Sequence, residues 1–142
     1  MISVRSILTQ KGHTIHAIAP EATVLDALRV MARHNVGALL IRDGERALGM
    51  LSERDYARKV VLHGRLSRDT PVGDIMEPAV FVPPGASIDA CMALMTDRRT
   101  RHLVVRDQER IVGLVSIGDL VKAIIDEQQT MIAHLEHYIT AG

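Results

Sequence analysis

The sequence predicts an α/β (α+β) fold built from two tandem strand–helix–strand–strand–helix repeats, packed through their sheets with pseudo-two-fold symmetry. The first observation behind this is a repeated word. Gly49-Met-Leu-Ser52-Glu-Arg-Asp55 returns 64 residues later as Gly113-Leu-Val-Ser116-Ile-Gly-Asp119, and the same offset, carried outward without a gap, pairs Pro20 with Pro84, Met31 with Met95, Leu39 with Leu103 and Arg42-Asp43 with Arg106-Asp107. That is a tandem duplication. The second is that the apolar period switches between strand and helix in the same order within each copy. The third is size: one copy of about fifty residues could hardly cover its own buried faces, so two copies must pack together. The expected division is residues 1–66, a first repeat with a lead-in helix, and residues 67–142, a second repeat with an extended last helix.

Taken in order, residues 1–9 carry Val4, Ile7 and Leu8 at helical spacing, a helix too short to stand alone that must dock on something. Residues 15–18 alternate as a strand, and Pro20 sets an extended turn. Thr23 with Asp26 starts a helix with Val24, Leu28, Met31 and Ala27 on its apolar side. Residues 37–41 and 47–51 are apolar runs of strand length joined by a turn, hence a hairpin. Residues 64–71 read as a linker. Val72, Ile75 and Met76 then repeat the apolar spacing of a lead-in helix; Ser87 opens a helix through Ile88, Met92 and Met95, and residues 103–105 and 111–115 form the second hairpin. The last helix, over residues 117–138, outruns its counterpart with a stripe of Ile124, Gln128, Met131, Leu135 and Tyr138, which reads as an interaction surface or a cover for the sheet.

Composition narrows the function classes. Seventeen basic and seventeen acidic side chains cancel, so no field attracts DNA or anionic membrane, and with no Trp and only Tyr56, Tyr138 and Phe81, platforms for stacking bases are nearly missing. Nucleic acid and membrane are therefore not expected partners. No run approaches the roughly 18 apolar residues of a membrane helix, and no secretory leader is evident. The single Cys91 lies in a helical apolar run and reads as a small core residue. A cytoplasmic protein is expected.

The repeated Ser-x-x-Asp admits two readings. In the first, hydroxyl and carboxylate satisfy N–H groups orphaned at a helix start. In the second, the helix terminus faces a phosphate while the carboxylate accepts two hydrogen bonds from a ribose diol. Arg54, beside Asp55 at a helix start, reads as a phosphate partner. Other chemistries lack their parts. His134 and His137, and His13 and His16, stand three apart with no third ligand, so no metal is expected. Neither a nucleophile elbow, a phosphate-wrapping loop nor a dinucleotide fingerprint is present.

The doubled unit resembles a pair of cystathionine-β-synthase (CBS) domains, the tandem called a Bateman module. The resemblance rests on the Gly-h-h-Ser-x-x-Asp word in both copies, the strands Gly37-Ala38-Leu-Leu-Ile41 and Arg101-His102-Leu-Val-Val105, the Val72-Gly-Asp-Ile-Met76 lead-in and the 64-residue period, and it covers nearly the whole chain. It implies two related clefts that hold adenine nucleotides and assembly into flat dimers. By that resemblance Asp55 and Asp119 would bind ribose hydroxyls, supported by Ser52 and Ser116. Ile15, His16 and Ala17, with Ala79, Val80 and Phe81, would border the base. Gly37 and Ala38, with Thr100, Arg101 and His102, would meet base or phosphate. Arg101 and His102 look like the family's phosphate contacts, whereas Gly37 and Ala38 do not, so the clefts are expected to be unequal. Ala17 and Phe81 stand where family members often carry threonine.

The expectation is thus a non-enzymatic sensor module that binds AMP, with ATP or NAD next, and signals through a regulated protein or a change of assembly. A two-fold homodimer is expected because the sheets and last helix leave apolar positions uncovered. The alternatives are a structural dimerisation module with vestigial clefts, and an enzyme acting on a bound nucleotide.

Overall fold

The computed structural model describes residues 2–141. In the first repeat, strand β1 (Ala17–Ile18) and helix α2 (Val24–His34) precede the hairpin β2 (Ala38–Asp43) and β3 (Arg46–Ser52), and a short helix α3 (Glu53–Asp55) continues as wide π-helical turns over Tyr56–Val61. Helix α1 (Val4–Lys11) stands ahead of them. The second repeat matches: β5 (Phe81–Val82), helix α4 (Ile88–Arg98), hairpin β6 (His102–Asp107) and β7 (Arg110–Ser116), and helix α5 (Ile117–Ala141), preceded by the two-residue strand β4 (Glu77–Pro78). Each β1-type strand runs parallel to its neighbour and each hairpin is antiparallel, giving sheet orders β1-β2-β3-β4 and β5-β6-β7. Even the hairpin irregularities are copied, at Ile41/Arg42 and Val105/Arg106.

Alternation along each strand divides its side chains between two layers. Leu39, Ile41 and Leu51 pack under α2 in one core, and Leu103, Val105 and Val115 in another with Cys91 and Met95 of α4. The opposite face supplies a third cluster, in which Leu40 and Met50 of the first sheet meet Val104 of the second. The two repeats therefore pack sheet against sheet.

The lead-in segments are exchanged between the repeats. Val4, Ile7 and Leu8 of α1 are buried in the core of the second repeat, whereas Val72 and Ile75 are buried in the core of the first. Backbone bonds fix the crossing: the Val4 and Arg5 N–H groups donate to the Ala86 and Pro84 carbonyls, and the Val72 and Gly73 N–H groups donate to those of Ala22 and Pro20. An eight-residue helix is unstable alone; burying three aliphatic side chains, at about 1.5–3 kcal/mol each, offsets the cost of ordering it.

Some expectations change. The expected second lead-in helix is only a 3₁₀ turn, Val72–Asp74, between Pro71 and Pro78, because the chain must extend at Glu77 to pair with β3. Residues 64–71 are not a free linker. Ser67–Asp69 forms a 3₁₀ turn, Thr70 is buried with its hydroxyl on the Leu66 carbonyl, and the Thr70 carbonyl accepts from the Val24 N–H. The expected strand over residues 15–18 shortens to two residues.

The duplicated helices α2 and α4 end in matched left-handed residues, Asn35 at φ 54° and Arg99 at φ 53°. Asn adopts that conformation at small cost, helped by its short polar side chain, and an arginine at a larger one. Arg99→Gly is expected to raise unfolding stability by about 1 kcal/mol, and Asn35→Gly by clearly less, in parallel urea titrations.

Candidate functional site

Each Ser-x-x-Asp word closes a capping box where a hairpin strand turns into a helix. At the first, the Ser52 N–H and hydroxyl donate to Asp55 Oδ2 at 3.0 and 3.1 Å, and the Asp55 N–H donates to Ser52 Oγ at 3.2 Å. At the second, the Ser116 N–H donates to Asp119 Oδ2 at 2.8 Å and the Asp119 N–H to Ser116 Oγ at 3.1 Å. The capping reading of the sequence is realised at both. It leaves the second open, since both boxes use Oδ2 and leave Oδ1 outside the reciprocal pair.

Strand register brings the expected edge residues to these helix starts. Ala38 stands opposite Ser52, and His102 opposite Ser116. The Gly37 carbonyl accepts from the Glu53 N–H at 3.0 Å and the Arg101 carbonyl from the Ile117 N–H at 2.9 Å, tying each helix to its strand edge. Thr100 Oγ1 and the backbone of His102 bond reciprocally at 3.2 and 3.4 Å. Arg54 and Arg101 are exposed.

The residues expected to border a base divide. Ile15, Ala17, Ala79 and Phe81 lie with Ala38 in the layer between the sheets. Val80 instead packs on the core of the second repeat. The Phe81 ring is covered by the Arg106 guanidinium, 3.7 Å from its centroid, and the His16 ring stacks on His34 at 4.1 Å. The two pseudo-equivalent borders thus differ: an aromatic ring under a cation on one side, an alanine beside paired imidazoles on the other.

Each motif aspartate also meets a lysine. Lys11, at the end of α1, donates to Asp119 Oδ2 at 2.7 Å and to the Leu114 carbonyl at 2.9 Å. Lys59 lies 3.6 Å from Asp55 Oδ1 and donates to Glu77 at 2.5 Å and to the Ile75 carbonyl at 2.9 Å. The chain has three lysines, so two of them sit on the two motif carboxylates. Sequence reasoning missed both. The duplication could not reveal them, because the 64-residue offset pairs Lys11 with Ile75 and Lys59 with Ala123.

Electrostatics follow from this arrangement. Burial alone pushes the Asp119 carboxyl up, but the Lys11 ammonium and the N–H and hydroxyl of Ser116 outweigh it and hold the group below its usual value. Burial holds the His102 imidazole below its usual value; Lys11 and Arg101 push the same way, while Asp119 and Asp55 pull back. One imidazole therefore feels both motif carboxylates. A depressed carboxyl contributes stability above its unfolded pKa and loses it as pH falls through the folded one. Lys11→Met is accordingly expected to cost about 1 kcal/mol at pH 7, reduced by the partial exposure of the pair, and markedly less near pH 3, by urea denaturation.

One groove of about 500 Å³ runs along α1 and α5, and another of about 460 Å³, bordered by Met31, Gly37, Glu53 and Tyr56, abuts the first motif. Neither contains a motif aspartate, so polar geometry rather than enclosure marks the motif positions. Among the described residues no group of three or more His, Cys, Asp or Glu side chains could hold a metal ion, and no helix is long and apolar enough to cross a membrane.

Comparison with known proteins decides the family. The family model of the CBS domain matches residues 4–62 and 72–126. The chain belongs to the CBS-domain family. It is 42% identical over 126 residues to the CBS domain-containing protein CBSX3, mitochondrial, of Arabidopsis thaliana, a match spanning 84% of this chain but 61% of that relative. It is 34% identical to the CBS domain-containing protein YhcV of Bacillus subtilis, over 84% of each chain. Among solved structures, a CBS-domain protein of Burkholderia ambifaria superposes with a TM-score of 0.84 at 46% identity, covering 89% of this chain and 96% of that one. The expected tandem of CBS repeats is thus the fold observed.

Proposed function

We propose that this CBS tandem is a non-enzymatic sensor whose two motif sites bind adenine nucleotides, AMP foremost and ATP or NAD next. Its output passes through a regulated partner protein or a change in assembly. The Burkholderia neighbour is provisionally described as a signal-transduction protein, which supports a regulatory reading. The observation that carries the ligand class is the pair of helix starts at which Oδ2 is held by the cap and Oδ1 lies outside the reciprocal pair, beside a strand edge that at the second site carries Arg101 and His102. A fixed carboxylate suits a vicinal diol, and the helix terminus and cations suit a phosphate.

Output requires that the ligand bind two arrangements with different affinity. The exchanged lead-ins supply a route: Lys11 belongs to α1 yet holds Asp119, so occupancy of the second site is coupled to how α1 docks. We place the protein as a two-fold homodimer in the cytoplasm; the Arabidopsis relative is by its name mitochondrial.

A second reading, a structural dimerisation module, is favoured by one observation: both aspartates already have caps and lysines without any ligand. Calorimetry with AMP, ATP and NAD separates the two, together with mass spectrometry of small molecules released on denaturing the purified protein. Micromolar AMP binding is the expected result. No heat and no thermal shift with any of the three, and no co-purified nucleotide, would leave the structural module.

A further inference from the structure

Helix α5 runs past the family domain. The CBS match ends at residue 126, whereas α5 continues to Ala141, and Met131, Ile132, Leu135, Tyr138 and Ile139 are 54–80% exposed. None of these residues belongs to a core cluster. Their spacing is heptad: with Val121 at a, the a positions are 121, 128 and 135, the d positions 124, 131 and 138, and the e positions Ile125, Ile132 and Ile139. We propose that the α5 extensions of two copies of this chain pair antiparallel, making the two-fold interface.

The occupant is a second copy because the stripe is complementary to its own reverse. Setting Gln128 against the partner's Met131 also sets the partner's Leu135 over Ile124, which is half-buried at the edge of the second core, and Val121 against the partner's Tyr138, so every a position meets a d position. The flanks agree. In antiparallel pairs e lies beside e and g beside g, which puts Ile125 against the partner's Ile132 and Glu127 beside the partner's His134, apolar on one edge and polar with complementary chemistry on the other. In a parallel pair g faces e, and Glu127 would lie against the partner's Ile132. A groove of about 500 Å³ flanks the stripe on its g edge, where Glu127, Met131, His134 and Leu135 of α5 face Ile2 and Gln10.

This pairing specifies the homodimer of the preceding reading, and the test separates their failures. Cys91 is fully buried, so cysteines introduced on α5 are the reactive ones. In the antiparallel register residue 128 approaches its own copy across the two-fold axis, whereas the two copies of residue 135 are offset by eleven residues, roughly 16 Å along the helix. Gln128→Cys is expected to give a majority of disulfide-linked dimer under mild oxidation and Leu135→Cys a small fraction of it, with thiol titration confirming that both are reactive. Leu135→Glu with Ile132→Glu is expected to halve the mass seen by light scattering at tens of micromolar with an unchanged far-UV spectrum, and Val61→Glu with Leu62→Glu, on the exposed end of the first repeat, is expected to keep the dimer. A monomeric parent chain overturns the homodimer and this pairing together. A dimeric parent overturns the pairing alone if the α5 variants stay dimeric, if the Val61 and Leu62 changes dissociate it, or if Leu135→Cys links as well as Gln128→Cys, the mark of a parallel pair.

Discussion

Gly49→Ala is expected to lower the unfolding free energy by about 3 kcal/mol, the upper end of the cost of overpacking, and Gly113→Ala by about half as much. Both glycines open the repeated word, yet neither is there for backbone freedom. A Cβ at Gly49 would stand 2.5 Å from the Glu77 carbonyl oxygen and 2.8 Å from Met76 Sδ. A Cβ at Gly113 would stand 2.6 Å from Leu8 Cδ2 and 3.3 Å from its Cγ. The two glycines are therefore the slots into which the exchanged lead-in segments press. They differ in what must move. Leu8 can shift a flexible side chain within its core, whereas the Glu77 carbonyl belongs to a strand paired in register with β3, Met50 opposite Glu77 and Gly49 opposite Pro78. Retreat at Gly49 breaks that pairing and takes Glu77 and the Ile75 carbonyl away from Lys59, which then loses two of its anchors beside Asp55. Urea titrations with their slopes measured decide it: a cost below about 0.5 kcal/mol at Gly49, or a larger one at Gly113, would remove the slot explanation.

The duplication was legible because it is written in residue identities at a fixed offset, and it carried the element order, the hairpins and the two capping boxes with it. Cys91, Met31 and Met95 read correctly as core from their helical phase. The exchange of the lead-ins was not legible. Val4, Ile7 and Leu8 declare an apolar face, but periodicity says nothing about which of two similar cores receives it; that is settled by chain path and by the backbone bonds to Pro84 and Ala86. For the same reason Lys11 could not be placed at Asp119, 108 residues away. The wide turns over Tyr56–Val61 had no signal either, since their counterpart in α5 has a similar apolar spacing and stays a regular α-helix. Phe81 looked like a base border from its position in the repeat. Its ring is covered by Arg106, whose own counterpart Arg42 turns instead to the Gly44 carbonyl at 2.8 Å and toward Glu45. Where the two copies diverge in sequence, single side chains settle differently, and the offset alone cannot say how.

That divergence sets the prediction with the largest effect on binding. Asp55→Asn and Asp119→Asn are each expected to weaken AMP at their own site by about 1.5–3 kcal/mol, roughly 10- to 150-fold in Kd, because a charge-assisted bond to a diol becomes a neutral one. Asn keeps an acceptor for the cap, so thermal stability should change little at Asp55, whereas Asp119→Asn also removes the carboxylate that Lys11 holds and should cost about as much as Lys11→Met. The residual sites should then differ. With Asp55 altered, binding is left beside Arg101, His102 and Lys11, a compact cationic setting suited to a monophosphate. With Asp119 altered, it is left beside Arg54 and the small-residue Gly37-Ala38 edge, flanked by Glu53, where a longer dinucleotide such as NAD is expected to fit. Their pH responses separate them further. His102 is held neutral by burial to below its usual pKa in the ligand-free chain, and a phosphate beside it would draw the imidazolium back. Affinity at the Asp119 site should therefore rise as pH falls from 7 toward 5.5, and His102→Asn should abolish that rise. The Asp55 site offers the phosphate a guanidinium in place of an imidazole, so no matching rise is expected there. The phosphate's own proton uptake near pH 6 affects both sites alike, which makes the difference between the two variants the quantity to read. Calorimetric titration of AMP and NAD into each variant at the two pH values, with and without His102→Asn, gives that difference. Unchanged affinities in both aspartate variants would return the motif to capping alone, and two residual sites with one preference and one pH response would make the clefts equivalent.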